Sequence, residues 1–398
     1  MNKWKMKPLG QLCLIERGGS PRPIDKYITD SPDGINWIKI GDTTESMYIT
    51  NTKEKIIPEG MKKSRYVQKG DFLLSNSMSF GRPYILDING CIHDGWLVIR
   101  DTHNLFDKRF LYYFLGSPIT YQKFKGMAVG GVVNNLNIDM VKKVEVPVLS
   151  MSEQKKIANS LDKVTALISS RKTQLEKLDL LVKSRFVELF GDPVSNPNNY
   201  LVKTLQELID MGYITYHLDG NHGGDYPRSD EFVECGVPYI GANCIVNGEI
   251  DLSMAKYLTE ERANKLRKGI AQNEDVLFAH NATVGPTVVL HTTEPKIILS
   301  TSLTAYRCNK EKVSPYYLKL FMQSDGFVRQ YASEMKQTTR NQVPITVQKK
   351  YSFLIPPIDL QNQFAEFVEQ TDKLKFEIKE ALEKLETLKK SLMQKYFG

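Results

Sequence analysis

The passage KLDLLVKSRFVELFG, residues 177–191, returns as KLETLKKSLMQKYFG at 384–398, with seven of the fifteen aligned positions identical. Exposed helices rich in Lys, Leu and Glu give such matches by composition alone, so the repeat counts only if it extends beyond them. It does. At an offset of about two hundred residues, far longer than a solenoid period, the first half lies over the second. Trp4 to Leu9 falls on Tyr200 to Leu205, and Gly18-Gly19 falls on Gly223-Gly224. GINWIKIG at Gly34 answers GVPYIGAN at Gly236. Asp71 meets Asp275, Gly81 meets Gly285 and Pro147 meets Pro356. Five matches in one order make a duplicated domain, so the chain reads as domain, helix, domain, helix.

The helices carry their own start and stop signals. Ser150-Met151-Ser152-Glu153 has the Ser-x-x-Glu spacing of a capping box, in which hydroxyl and carboxylate satisfy each other's backbone N–H. Leu161, Val164, Ile168, Leu175, Leu178, Val182 and Leu189 follow at three- and four-residue steps, with Arg171 and Arg185 in the two slots that break the series. Gly191 supplies a left-handed stop and Pro193 forbids continuation. The second helix is expected to begin at Asp359 as its cap, with a seam of Leu374, Ile378, Ala381, Leu385, Leu388 and Leu392. At about 1.5 Å per residue each helix reaches roughly 55 to 60 Å. Apolar seams this long must be covered. Related by a pseudo-twofold, the two helices are expected to cover each other as an antiparallel coiled coil; the alternative is that each packs on its own domain.

Each globular half reads as mixed α and β, giving an α+β fold with a pseudo-twofold internal repeat. Expected strands are 35–40, 71–75 and 96–100 in the first copy and 237–240, 275–279 and 303–308 in the second, with helices at 108–115 and 315–322. With 41% apolar and 10% aromatic residues, each half can build its own core. No run of eighteen apolar residues occurs and MNKWKMKPLGQ is not a secretory leader, so the cytoplasm is the expected compartment. Cys13, Cys91, Cys235, Cys244 and Cys308 lack metal-ligand spacing and are expected as buried free thiols.

Loops rich in Gly, Ser, Thr and Asn connect the strands and carry basic residues, while the net charge of +7 fits a polyanionic partner. Arg17, Arg22, Lys39, Arg82, Arg228, Lys336 and Arg340 are candidates for phosphate contacts. Asn76, Asn134, Asn135, Asn281, Thr338, Asn341 and Gln342 are candidates for base edges. Taken singly, any of these loops reads equally as an ordinary turn. Corresponding loops differ in chemistry over a shared framework, as in Ser79-Phe80-Gly81-Arg82 against Thr283-Val284-Gly285-Pro286, which is the pattern of two readers of different words.

Catalytic motifs do not emerge. Ile355-Pro356-Pro357-Ile358 lacks the polar lead and the aromatic of an amino-methyltransferase tetrad, and there is no GxxxxGK phosphate loop. Pro32-Asp33-Gly34 reads as a turn and not as a nuclease carboxylate. His217, Asp219, His222 and Asp225 crowd one loop, but their spacing fits a polar DNA-facing loop better than a metal site. The chain is expected to recognise and not to react.

Gly-Gly-Ser-Pro near the start, a Gly-Arg-Pro hairpin and Pro-x-Leu-x-x-x-Glu-Gln leading into a helix that ends Leu-Phe-Gly, all then repeated, resemble the specificity subunit of type I restriction-modification systems. The resemblance implies target-recognition domains at 1–149 and 200–358, spacer helices at 150–191 and 359–398, and a linker at 192–199. It further implies double-stranded DNA and two methyltransferase subunits as partners, with endonuclease-translocase subunits as possible additions. S-adenosylmethionine and the catalytic residues would sit on the methyltransferase, and this chain would bind no cofactor or metal. At the second helix, Asp359-Leu360-Gln361-Asn362-Gln363 stands where the first has Glu153-Gln154, which leaves open whether the two helices dock partners equally. A non-catalytic coiled-coil scaffold and a stand-alone DNA-modifying enzyme are the other classes.

Overall fold

The computed structural model describes residues 4–76, 80–127, 135–335 and 341–398. Contacts divide the chain into two compact units, one made of Met1–Lys172 with Glu380–Gly398 and the other of Thr173–Lys379. Both long helices therefore begin in one unit and end in the other.

In the first unit one five-stranded sheet has the order Leu14–Arg17, Trp96–Arg100, Phe72–Ser75, Pro83–Leu86 and Tyr48–Ile49. A second holds Ile28–Thr29, Glu54–Ile56, Ile35–Ile38, Gly90–Ile92 and Arg65–Val67. Successive side chains on a strand point to opposite faces, and Trp96–Arg100 uses both. Trp96 and Val98 enter a core with Ile38, Tyr84 and Ile92, while Leu97 and Ile99 enter another with Phe72, Ile85 and Phe110. The second unit repeats the framework: Ile214–Asp219, Leu303–Cys308, Val276–Asn281 and Thr283–Val289 form one sheet. Phe232–Val233, Lys256–Leu258, Val237–Ile240, Ile297–Leu299 and Ile270–Ala271 form the other. The helices Lys108–Leu115 and Pro315–Met322 fall where the apolar pattern puts them. Burial pushes the Cys13 thiol up to about 12 and Cys91 to about 11, so both remain protonated, whereas Cys235, expected to be buried, is exposed.

Matching contacts fix the register of the duplication. Asp71 pairs with Arg100 at 3.3 Å and Asp275 with Arg307 at 2.8 Å. The Gly70 N–H donates to the Leu86 carbonyl and the Glu274 N–H to that of Leu290, both at 2.7 Å, and both residues have positive φ. Two alignments require correction. Arg17 is paired with Leu97, and Asp219 with Thr304, so Gly18 corresponds to Gly220 and not to Gly223. A Cβ on Gly18 would lie 2.0 Å from the His93 carbonyl oxygen, and one on Gly220 would lie 2.3 Å from that of Ser300, so close backbone approach selects glycine at both. Likewise Leu9 bonds to Val144 and Leu205 to Tyr351, which moves the match of Pro147 from Pro356 to Leu354.

The long helices span Met151–Phe190 and Ile358–Phe397. The expected capping box closes the first, with the Ser150 N–H 3.1 Å from a Glu153 carboxylate oxygen and the Glu153 N–H 3.3 Å from the Ser150 hydroxyl. Gly191 ends it at φ +74°. Asp359 is not the cap of the second helix: the Leu360 and Gln361 N–H groups bond to the Pro357 carbonyl, so Asp359 lies in the first turn. Leu161, Val164, Ile168 and Val182 are buried, with Leu175 and Leu178 half-buried. In the second helix the seam is displaced by one residue at alternate steps. Leu374 and Leu388 are 51% and 45% exposed, and Lys375, Leu382 and Lys389 take the inner slots beside Ile378, Leu385 and Leu392, with Ala381 half-buried at the flank. The long stems of lysine permit this, since their methylenes pack while the ammonium finds a partner. Lys375 does so at Asp179, 2.7 Å away.

Within the first unit Ile157, Ala158 and Leu161 of one helix share a core with Phe397 of the other. Within the second, Val182, Phe186 and Phe190 share a core with Phe364 and Val368. In each unit the start of one helix thus runs against the end of the other, an antiparallel pairing.

Candidate nucleic-acid interface

In the first unit the candidate interface is built where two strands end and a turn begins. Leu14–Arg17 runs out into the glycine loop, Phe72–Ser75 into Asn76, and the turn His93-Asp94-Gly95 leads into Trp96–Arg100. The Gly18 and Gly19 N–H groups donate to the Trp96 and Ile92 carbonyls at 2.9 and 3.1 Å, which ties the loop to the turn. Asp94 collects the side chains. Its carbonyl accepts from Arg17 Nε at 3.0 Å and Asn76 Nδ2 at 2.8 Å. Its carboxylate accepts from the Ser20 hydroxyl at 3.0 Å and from Arg22 at 3.4 Å. Partial burial works to raise the Asp94 pKa, but the Ser20 hydrogen bond and the neighbouring His93 and Arg22 outweigh it and hold the carboxyl below its ordinary range. Burial is also the largest influence on His93 beside it, and it lowers the pKa of that imidazole.

Arg82 lies across the same sheet end. Its backbone pairs with Ser75, its guanidinium donates to the Thr44 carbonyl at 3.1 Å, and it stands 5.2 Å from the Tyr84 ring centroid. Lys39 is drawn elsewhere, paired with Glu54, so its charge is largely neutralised. Asn76 is 2% exposed with its amide engaged, which makes it a holder of the site and not a group presented to solvent. Asn135 is exposed, and Asn134 lies outside the described residues.

At the corresponding place in the second unit the chemistry changes. Asp219 occupies the position of Arg17 and receives His222 Nε2 at 2.8 Å. Asn221 donates to the Lys268 carbonyl at 2.7 Å. His280 replaces Asn76; it is buried, its Nδ1 lies 3.0 Å from the Val343 carbonyl, and burial lowers its pKa. Beyond it, Asn281 bridges to Gln342 and the Ala282 N–H donates to the Asn341 carbonyl at 2.9 Å. Ala282 has φ +65°, a strained conformation for a residue with a Cβ, and such strain gathers at binding sites. Asn341 is exposed, whereas Asn281 and Gln342 are half-buried. Arg228 is exposed and its N–H donates to Glu231, away from this cluster. Lys336, Thr338 and Arg340 lie outside the described residues.

His217 turns inward instead of joining Asp219 and His222. Its Nε2 lies 3.2 Å from Gln348, its ring stands 4.6 Å from that of Tyr306, and burial pushes its pKa down to about 4. Among the described residues no three His, Cys, Asp or Glu side chains converge as metal ligands. Nor, among them, is any helix long and apolar enough to cross a membrane.

The structure brings Arg17, Arg22 and Asn76 together at Asp94, and Asn281, Asn341 and Gln342 together around Ala282. Sequence reasoning missed Asp94, because the search was for cations and amides. The signal available was Cys-Ile-His-Asp-Gly-Trp, two charged or polar residues and a glycine set between apolar strands.

Two stretches of the chain, residues 1–180 and 197–390, match the family model described as the type I restriction modification DNA specificity domain. The chain is 21% identical over 408 residues to the type I restriction enzyme MjaVIII specificity subunit of Methanocaldococcus jannaschii, covering 98% of this chain and 91% of the relative. It is 23% identical over 425 residues to the type I restriction enzyme EcoKI specificity subunit of Escherichia coli, covering 99% and 88%. The crystal structure of a type I restriction-modification system S subunit from M. genitalium has the same fold, with a TM-score of 0.61 at 17% identity over 100% of this chain and 97% of that one.

Proposed function

From the premise that this chain belongs to the type I restriction-modification DNA specificity family, we propose that it is the DNA-reading subunit of such a complex. Each unit reads one short word, and the long helices set the unread gap between the words. One observation carries this. The two units keep the same framework, down to the Asp71–Arg100 and Asp275–Arg307 pairs, and differ where the strands run out: Arg17 against Asp219, Asn76 against His280, Asp94 against Thr301. A frame held constant beneath changed polar tips is what two words require, because sequence is read by side chains at base edges and not by the scaffold.

Two words read from one face of B-DNA lie about a helical turn apart, near 34 Å. Helices of forty residues, about 60 Å each, are long enough to impose that spacing. Arg17 and Arg82 supply phosphate affinity that falls with salt. Methylation belongs to methyltransferase subunits docked on the chain, which carry S-adenosylmethionine.

The test is co-expression with the methyltransferase subunit from the same genome, followed by sequencing of the DNA for methylated adenine. A gapped motif of two unequal words, methylated only when this chain is present, is the expected result. A well-formed complex without methylation favours the scaffold reading, and methylation by this chain alone makes it an enzyme.

A further inference from the structure

Three segments of the first unit that are distant in sequence meet at Asp94, and two kinds of contact there can be separated. The backbone carbonyl, taking Arg17 and Asn76, holds the turn to the ends of the two strands. The carboxylate reaches the glycine loop through Ser20 and Arg22, with His93 Nδ1 of its own turn 3.6 Å away. Its side chain is 45% exposed and that of Arg22 is 82% exposed. An exposed pair of that kind adds little to stability. The carboxylate's effect is on conformation: a loop opening on two adjacent glycines has many states, and a single acid picks the one in which Ser20 and Arg22 face the turn.

Comparison with the second unit sharpens this. The ion pair of Asp71 with Arg100 recurs as Asp275 with Arg307, but the residue corresponding to Asp94, counted from the matched Arg100 and Arg307, is Thr301. A group serving the fold would be expected in both units. A group serving one word would be expected in one.

We propose that Asp94 is the positioning residue of the first unit's DNA-reading face: it fixes the loop that follows Arg17 and carries Ser20 and Arg22, and so sets the word that this unit accepts. This role presupposes the DNA-reading function above. The same carboxylate engages Arg22, which when free would bind any phosphate and carry no sequence information.

The experiment uses the full chain in complex with its methyltransferase and compares the unsubstituted protein with Asp94→Asn, Asp94→Ala and, in the other unit, His222→Ala. Asp94→Asn keeps an acceptor for Ser20 and removes only the charge, so it reports on positioning even if Asp94→Ala unfolds the unit. The readouts are the methylated motif and binding to target and non-target duplexes across a salt series. With Asp94→Asn, one word relaxes and the other is unchanged, with about a tenfold loss of discrimination against single mismatches. Released Arg22 gains a phosphate, so non-target DNA binds more tightly and the salt slope steepens by about 0.9. His222→Ala relaxes the opposite word. A motif unchanged by Asp94→Asn, both words relaxed together, or methylation abolished overturns the assignment. If the unsubstituted complex gives no gapped motif, it is the DNA-reading function itself that fails.

Discussion

His217 shows how one buried side chain can make a whole unit sensitive to acid. Its ordinary pKa is near 6.5, and burial beside Tyr306 and Gln348 brings it to about 4. The unfolded chain therefore takes up a proton as pH drops below about 6.5, while the folded unit resists until about 4. Stability from this residue is full above pH 6.5 and is lost progressively down to about 4, by up to about 3 kcal/mol. His280, whose pKa burial also lowers, acts in the same direction. His217→Gln keeps a donor for Gln348 and removes the titration. Urea unfolding of the second unit, followed by hydrogen exchange at pH 7 and pH 5, should show a smaller loss between the two for the variant than for the parent. An unchanged difference would mean that His217 is not the acid-sensitive group.

At the scale of elements, the two halves repeat a device that the sequence concealed. Gln154 is buried in the first turn of its helix, accepting from the Asp107 N–H at 2.9 Å and donating to the Leu105 and Leu149 carbonyls at 2.8 and 3.1 Å. Gln361 does the same at 2.9 Å from the Ser314 N–H and 2.8 Å from the Pro356 carbonyl. The departure at Asp359-Leu360-Gln361 is therefore confined to the acid: the glutamine latch is present in both, displaced by a two-residue misalignment, while Leu360 stands where the first helix has Glu153. Gln154→Ala and Gln361→Ala each strand buried backbone groups and should cost about 2 kcal/mol in their own unit, measured by denaturant unfolding. Strands and short helices were legible because apolar alternation and helical periodicity are local signals. The seam of the second helix was not, since Leu374 and Leu388 look apolar in sequence while packing selects Lys375 and Lys389 for their long stems. The interface was legible only in part for a related reason. Loop chemistry marks which residues are polar, but hydrogen bonds across 18 to 77 residues, such as Asn76 and Arg17 to Asp94, decide which are held and which are presented.

The recurring end of the two long helices, Leu-Phe-Gly and Tyr-Phe-Gly, acquires its meaning at the scale of the molecule. Phe190 ends the helix that starts in the first unit and stands 4.7 Å from Tyr317 in the core of the second. Phe397 ends the helix that starts in the second unit and stands 5.7 Å from both Phe110 and Phe114 in the core of the first. Each unit is therefore completed by residues from the far end of the other unit's helix. Phe397→Ala should destabilise the first unit by about 3 kcal/mol, although its core partners lie nearly three hundred residues earlier, with hydrogen-exchange protection lost there and kept in the second unit. Such reciprocal anchoring also defines how a ruler must be altered. Lengthening one helix alone would pull its terminal phenylalanine out of register with its core. Seven residues inserted in both, between Lys172 and Thr173 and between Lys379 and Glu380, preserve the inward faces and leave both anchors seated. The added rise is about 10 Å, or roughly three base pairs at 3.4 Å each. Methylated motifs from that variant should retain both words and gain about three unspecified positions between them. If the words change while the gap does not, the helices do not set the spacing.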